Sequence, residues 1–197
     1  MKINENGRSM VEMLGVLAII GVLSAGGLAG YSKAMFKHKL NNTIDEVTML
    51  VTNIRTMYGA QTSYAGLGDD DGVNPIALGI VPANFVLADN SITNPFKGSI
   101  SLAAGKAKSG DDDGTAFKIT VADIPQEACV TLASADWGSG AGSGFIGVVQ
   151  SDGDGEPGSG EPYVGTTDEG KVLSISDAAT VCALGNNGLS SVTLKFY

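Results

Sequence analysis

Side chains that commonly do chemistry are scarce in this chain: 197 residues include one histidine, one tryptophan and two cysteines. His38 sits between Lys37 and Lys39, and no serine or cysteine nucleophile comes with a plausible histidine partner. The glycine-rich stretches also lack the lysine of a phosphate-cradling loop. An enzyme is therefore not expected. Basic residues are few as well, 12 Lys and Arg against 21 Asp and Glu, for a net charge of −9. Without a stripe of cations to neutralise phosphates, nucleic acid is not an expected partner. The imbalance is local. Residues 1–58 hold six of the twelve basic groups and only four acids, whereas residues 59–197 carry seventeen acids. An acidic body thus follows a weakly basic stem, and such a surface mainly favours solubility. Proline is missing throughout residues 8–74, and no tandem repeat of fixed period is present.

That proline-free stretch holds the strongest signal. Residues 10–30 read MVEMLGVLAIIGVLSAGGLAG, 21 residues with a single charge, Glu12. About 20 apolar helical residues cross a hydrocarbon core, so this segment is long enough to span a membrane. A cleaved secretory signal would have a shorter apolar core followed by a small-residue cleavage site. A plain anchor leaves Glu12 without a partner in the bilayer, where a carboxylate is costly. Cleavage between Gly7 and Arg8 would supply one. It creates an α-amino group at Arg8 and makes Glu12 the fifth residue, able to pair with the ammonium of a neighbouring copy. Lys33, Lys37 and Lys39 follow the span and, by the positive-inside tendency, pull the other way on its orientation.

Beyond the span, apolar residues recur at Phe36, Leu40, Ile44, Val47, Val51, Ile54 and Tyr58, the spacing of one helical face. Lys37, Asn41, Asn42, Asp45, Thr48, Asn53 and Arg55 fill the other sides. A single helix of about fifty residues would be roughly 75 Å long. It would be apolar all round in its first half and amphipathic in its second. Gly15, Gly21, Gly26, Gly27 and Gly30 weaken helix propensity; they suit close helix–helix packing, the preferred reading, or local melting as the subunit leaves the bilayer.

The stretch NGRSMVEMLGVLAIIGVLSAGG resembles the N-terminus of the type IV prepilins: a short charged leader ending in Gly7, Glu12 five residues on, then an unbroken apolar run. In that family a membrane-embedded aspartyl peptidase cuts after the glycine and methylates the new amine. Arg8 departs from the hydrophobic first residue usual there. The resemblance extends into the head, where YAGL, GIVPANFV, NPFKG and FKITVADIPQEACVTLA are similar in order and kind to the type IVb pilins of the thin-pilus and toxin-coregulated groups. The implied layout is a leader at 1–7, a helical stem at 8–58 with 10–30 transmembrane, and a globular head at 59–197. The implied fold class is α+β, with the long helix packed against an antiparallel sheet bearing a short cysteine-containing helix.

Several local readings fit that layout. Ile100 and Leu102 alternate with serine, and Phe117, Ile119 and Val121 alternate with Lys118 and Thr120; with the turn KAKSGDDDG between them they predict a hairpin. DIPQEACVTLAS at 123–134 predicts a short helix, with Pro125 in its first turn and Glu127 at its positive end. SSVTLKFY predicts a terminal strand, with Val192, Leu194 and Phe196 inward and Thr193, Lys195 and Tyr197 outward. Residues 137–170, rich in Gly, Ser and Asp, read as turns and exposed loops. Cys129 and Cys182 by themselves allow two buried thiols or one disulfide, and export of this half favours the disulfide. The family places cysteines at both positions and joins them.

No cofactor is expected. Asp152, Asp154 and Glu156 in SDGDGEPG resemble the front of a calcium loop without its distal bidentate glutamate, and Asp69–Asp71 and Asp111–Asp113 are comparable acidic turns. Solvated loops are the simpler reading of all three. The expected function is that of a structural subunit of a type IV, IVb-like pilus. Its expected partners are copies of itself, a prepilin peptidase and the assembly machinery of the bacterial inner membrane. It would be held there as a precursor and then carried outside in the pilus. A minor pilin or a type II secretion pseudopilin is the alternative, and a membrane-anchored periplasmic binding domain a more distant one.

Overall fold

In the computed structural model, residues 10–68, 74–108, 111–138, 144–149, 172–182, 185 and 187–197 are described. Gly7, Arg8, Asp69–Asp71, Asp152, Asp154 and Glu156 lie outside them. The chain forms two compact units, Met1–Asn41 and Asn42–Tyr197.

One helix, α1 (Met10–Tyr58), accounts for the stem, 49 residues without a break. Its first unit is exposed throughout the apolar span. From Thr43 onward one stripe is buried: Thr43, Glu46, Val47, Leu50, Val51, Ile54 and Tyr58. The stripe is turned slightly from the expected one. Phe36, Leu40 and Ile44 are only half-buried, while Thr43 and Glu46 lie fully inside.

The head unit continues with a single turn of 3-10 helix (Ala83–Phe85), then β1 (Ile92–Thr93), β2 (Ser99–Gly105), β3 (Ala116–Ile124), α2 (Gln126–Ala133), β4 (Phe145–Val149), α3 (Ile175–Val181) and β5 (Ser190–Phe196). The strands form one antiparallel sheet in the order β1-β2-β3-β5-β4. The expected hairpin is β2–β3, with Leu102 opposite Ile119 and Ile100 opposite Val121. Pro125 precedes α2 as its N-cap residue, just outside the first turn.

Two expectations change. β5 is buried along its whole length, Thr193 and Lys195 included: it is a central strand between β3 and β4, and α2 packs against it. Thr193 is satisfied there by a 2.8 Å hydrogen bond to Thr120 on β3. Residues 137–170 are also not all exposed loop. They contain β4, whose five residues FIGVV are all buried. Averaged over its glycine-rich surroundings, so short an apolar run disappears, yet five residues make a strand of ordinary length.

A bulge between Val121 and Ile124 in β3 turns Asp123 to φ 55° and frees the Ala122 carbonyl from the ladder. Buried Asn94 accepts that task. Its Nδ2 donates to Ala122 O at 2.8 Å, while its Oδ1 receives the amides of Phe96 at 2.9 Å and Gly98 at 3.1 Å. On the far side of the bulge, Asn187 Nδ2 donates to Asp123 Oδ1.

Candidate assembly site

The span of α1 presents an unusual surface. Met10, Val11, Leu14, Leu17, Ile19 and Val22 are each between 61% and 81% exposed, and none of the described residues buries the span. A monomer in water rarely leaves a continuous apolar patch of this size uncovered, so lipid or other chains must cover it. Glu12 lies in the first turn and is exposed, the one charge between Met10 and Gly30. Its proposed counterpart at Arg8 and the cleavage residue Gly7 lie outside the described residues. Open space surrounds Gly15, Gly21, Gly26, Gly27 and Gly30: a methyl group added at any of them would meet nothing within 4 Å. Nothing among the described residues accounts for the roughly 1 kcal/mol that each costs relative to alanine in a helix.

The other end of α1 is anchored through aromatic rings and one arginine. The Tyr58 ring packs at a tilt against Tyr64 at 5.3 Å, Tyr64 likewise against Phe117 at 4.9 Å, and Phe117 stacks on Phe196 at 5.5 Å. Phe196 also meets Phe145 and Trp137. Arg55 lies over the Phe196 ring at 5.7 Å and donates from Nε to the main-chain oxygen of Tyr197 at 3.0 Å. Its Nη2 fills the place that a side chain at residue 144 would take. Gly144 has φ +69°, and a Cβ there would lie 2.4 Å from that nitrogen. The same glycine accepts the Tyr197 amide at 2.7 Å. Arg55 thereby joins the end of the stem to the start of β4 and the end of β5. It also lines, with Thr48, Thr52, Trp137 and Phe196, a groove of about 300 Å³.

Cys129 on α2 and Cys182 at the end of α3 form a disulfide across 53 residues of chain, and both are fully buried. The Cys182 carbonyl receives Gln126 Nε2 at 3.2 Å and Ser190 Oγ at 3.1 Å. This fixes α3 to α2 and to the start of β5. α3 itself was missed from the sequence although its signal is present. In SISD the Ser174 side chain accepts the Asp177 amide, a helix-start pattern read directly from residue types.

The acidic turns do different work. Asp111 Oδ2 accepts the Lys108 amide at 2.9 Å, closing the β2–β3 turn. Among the described residues no group of three or more His, Cys, Asp or Glu side chains is placed to hold a metal ion. The calcium candidate at Asp152, Asp154 and Glu156 lies outside those residues.

Sequence reasoning also overlooked Glu46. It lies among fully buried Val47 and Leu50, is 1% exposed, and burial pushes its carboxyl up to about 7. Its position three and four residues from Thr43 and Leu50 places it on the buried stripe, and that spacing was the available signal.

A long apolar helix leading into a disulfide-tied α+β head, with one acid at the start of the span, is the architecture of a type IV pilin. The Bundlin family model matches residues 33–197. The major structural subunit of the bundle-forming pilus of Escherichia coli O127:H6 is 33% identical over 138 residues, covering 70% of this chain and 68% of that protein. The toxin coregulated pilin of Vibrio cholerae is 25% identical over 131 residues, covering 66% of this chain and 58% of the relative. A crystal structure of a type IVb pilin from Salmonella typhi aligns with a TM-score of 0.48 at 20% identity, over 81% of this chain and 97% of that one. This chain belongs to the Bundlin family of type IV pilins.

Proposed function

We propose that this chain is a structural subunit of a type IVb pilus and polymerises through its N-terminal helix. The observation that carries this reading is the mismatch within α1. From Thr43 on, the helix has a core to bury its apolar stripe, whereas the span from Met10 to Leu28 exposes its large apolar residues. Lipid covers that surface in the precursor, and neighbouring copies cover it in the filament. The glycines of the span let those helices approach closely. A prepilin peptidase cuts between Gly7 and Arg8. Glu12 of one subunit then pairs with the new Arg8 amine of the next, neutralising both in a medium where an isolated carboxylate costs roughly 3 kcal/mol. The inner-membrane assembly machinery and the extracellular pilus complete the path. Adhesion, aggregation, conjugation or motility are the uses open to such a fibre.

The named relatives are major subunits or pilins of fibres, which favours a major over a minor role here. Electron microscopy of sheared surface material tests it: long fibres containing this chain are expected, and short or absent fibres on overexpression would point to a minor pilin or pseudopilin. Glu12→Ala should abolish or severely reduce fibres while the precursor is still made and inserted. Normal assembly of that variant would remove the charge-pairing account.

A further inference from the structure

The structure assigns Glu46 a role as a proton-sensitive element of the head: it is buried as the neutral acid, and its ionisation weakens the seating of the stem's second half. The geometry is simple. Both carboxyl oxygens are inaccessible to solvent and have no hydrogen-bond partner among the described residues. Val47 and Leu50, its neighbours on the stripe, are fully buried. A charge at that place can be neither hydrated nor paired, whereas the protonated acid costs far less.

Among the described residues no cation pairs with the Glu46 carboxyl. The residues three and four positions away on α1 are Asn42, Thr43, Met49 and Leu50, none of them basic. The charged groups of the rest of the head include Lys118 and Lys195 on the sheet, Asp123 at the bulge, Glu127 on α2 and Asp177 on α3. Burial is the cause of the raised value.

The sign follows from linkage. Between the ordinary value of 4.5 and about 7 the folded head keeps a proton that the unfolded chain has released. The stability that this proton contributes is therefore fullest below pH 4.5, falls as pH rises toward 7, and is gone above it. Two and a half pH units at a factor of ten each set an upper limit of about 300-fold on the change in the folding constant. Among the described residues, hydrogen bonds from Ser91 lower Asp89 below its ordinary 3.8, outside this window, and burial lowers Lys118 from 10.5.

The test uses the full chain in detergent, with its single Trp137 as the fluorescent reporter of urea unfolding between pH 4.5 and 7.5. Wild type should lose between ten- and 300-fold in folding constant across the range. Glu46→Gln should flatten the profile, and so should Glu46→Met, an apolar replacement of similar length that needs no hydrogen bond. A variant that keeps the wild-type slope overturns the assignment. If neither variant folds, the wild-type profile decides: a flat one overturns the assignment, and a fall centred between pH 4.5 and 7 supports it.

Discussion

Removing the Cys129–Cys182 disulfide should cost the head about 4 kcal/mol, and the reasoning can be followed from the structure. The bond spans 53 residues, and in the chain-entropy account closing a loop of that length restricts the unfolded chain by about 4 kcal/mol at 25 °C. Both sulfurs lie where α2, α3 and β5 meet and are fully buried, so replacing them by alanine also loses packing. Neither the Gln126 nor the Ser190 hydrogen bond to Cys182 O uses a sulfur, and both can persist in the variant. For a protein of this size, about 4 kcal/mol corresponds to a fall in Tm of roughly 8–16 °C. The assay is thermal unfolding of the full chain in detergent, comparing wild type, Cys129→Ala/Cys182→Ala, and wild type reduced with excess dithiol. The reduced wild type and the double variant should melt within a few degrees of each other and well below the oxidised protein. A double variant that melts with the oxidised protein would refute the loop-closure reasoning, because it would mean that the cross-link restricts little of the unfolded ensemble.

Two further perturbations separate backbone strain from contact. Gly144→Ala should destabilise by about 2–3 kcal/mol in urea titration, since it places a side chain at φ +69° and displaces Arg55 from its contact with Tyr197. Gly188→Ala shares the left-handed backbone, at φ +74°, but faces open space, so about 1 kcal/mol is expected there; equal losses at the two sites would remove the proposed Arg55 contact. Asn94→Ala leaves the Ala122 carbonyl and two amides unsatisfied, and a loss of about 2–3 kcal/mol should be accompanied by faster hydrogen exchange at Gly98. Unchanged exchange at Gly98 would show that Asn94 does not hold that turn.

Much of the architecture was legible because it rests on local rules. The continuous stem follows from the lack of proline and from an apolar period that changes from all-round to one-sided near Phe36. The β2–β3 hairpin follows from alternation on both sides of a turn signal. The short helix α2 follows from Pro125 and Glu127 at its start. The candidate assembly residues Gly7, Arg8 and Glu12 rest on the sequence alone, because their spacing is a property of consecutive residues and Gly7 and Arg8 lie outside the described residues.

Other features depend on what lies beside a residue in space. Lys195 reads as an outward strand residue, but it is buried in β5, a central strand between β3 and β4 in a sheet against which other elements pack. FIGVV reads as part of a glycine-rich loop until β5 provides the partner that makes it a strand. Arg55 reads as the polar side of an amphipathic helix, yet the juxtaposition of Gly144, Phe196 and Tyr197 makes it a cross-link between elements far apart in sequence. By itself, then, the sequence determined the stem, the lone acid of its apolar span and the class of fold, because helical period and turn chemistry act between near neighbours. Only the tertiary structure decided that Glu46 is buried without a partner, because burial is set by which surfaces meet and one chain position carries no record of its distant neighbours.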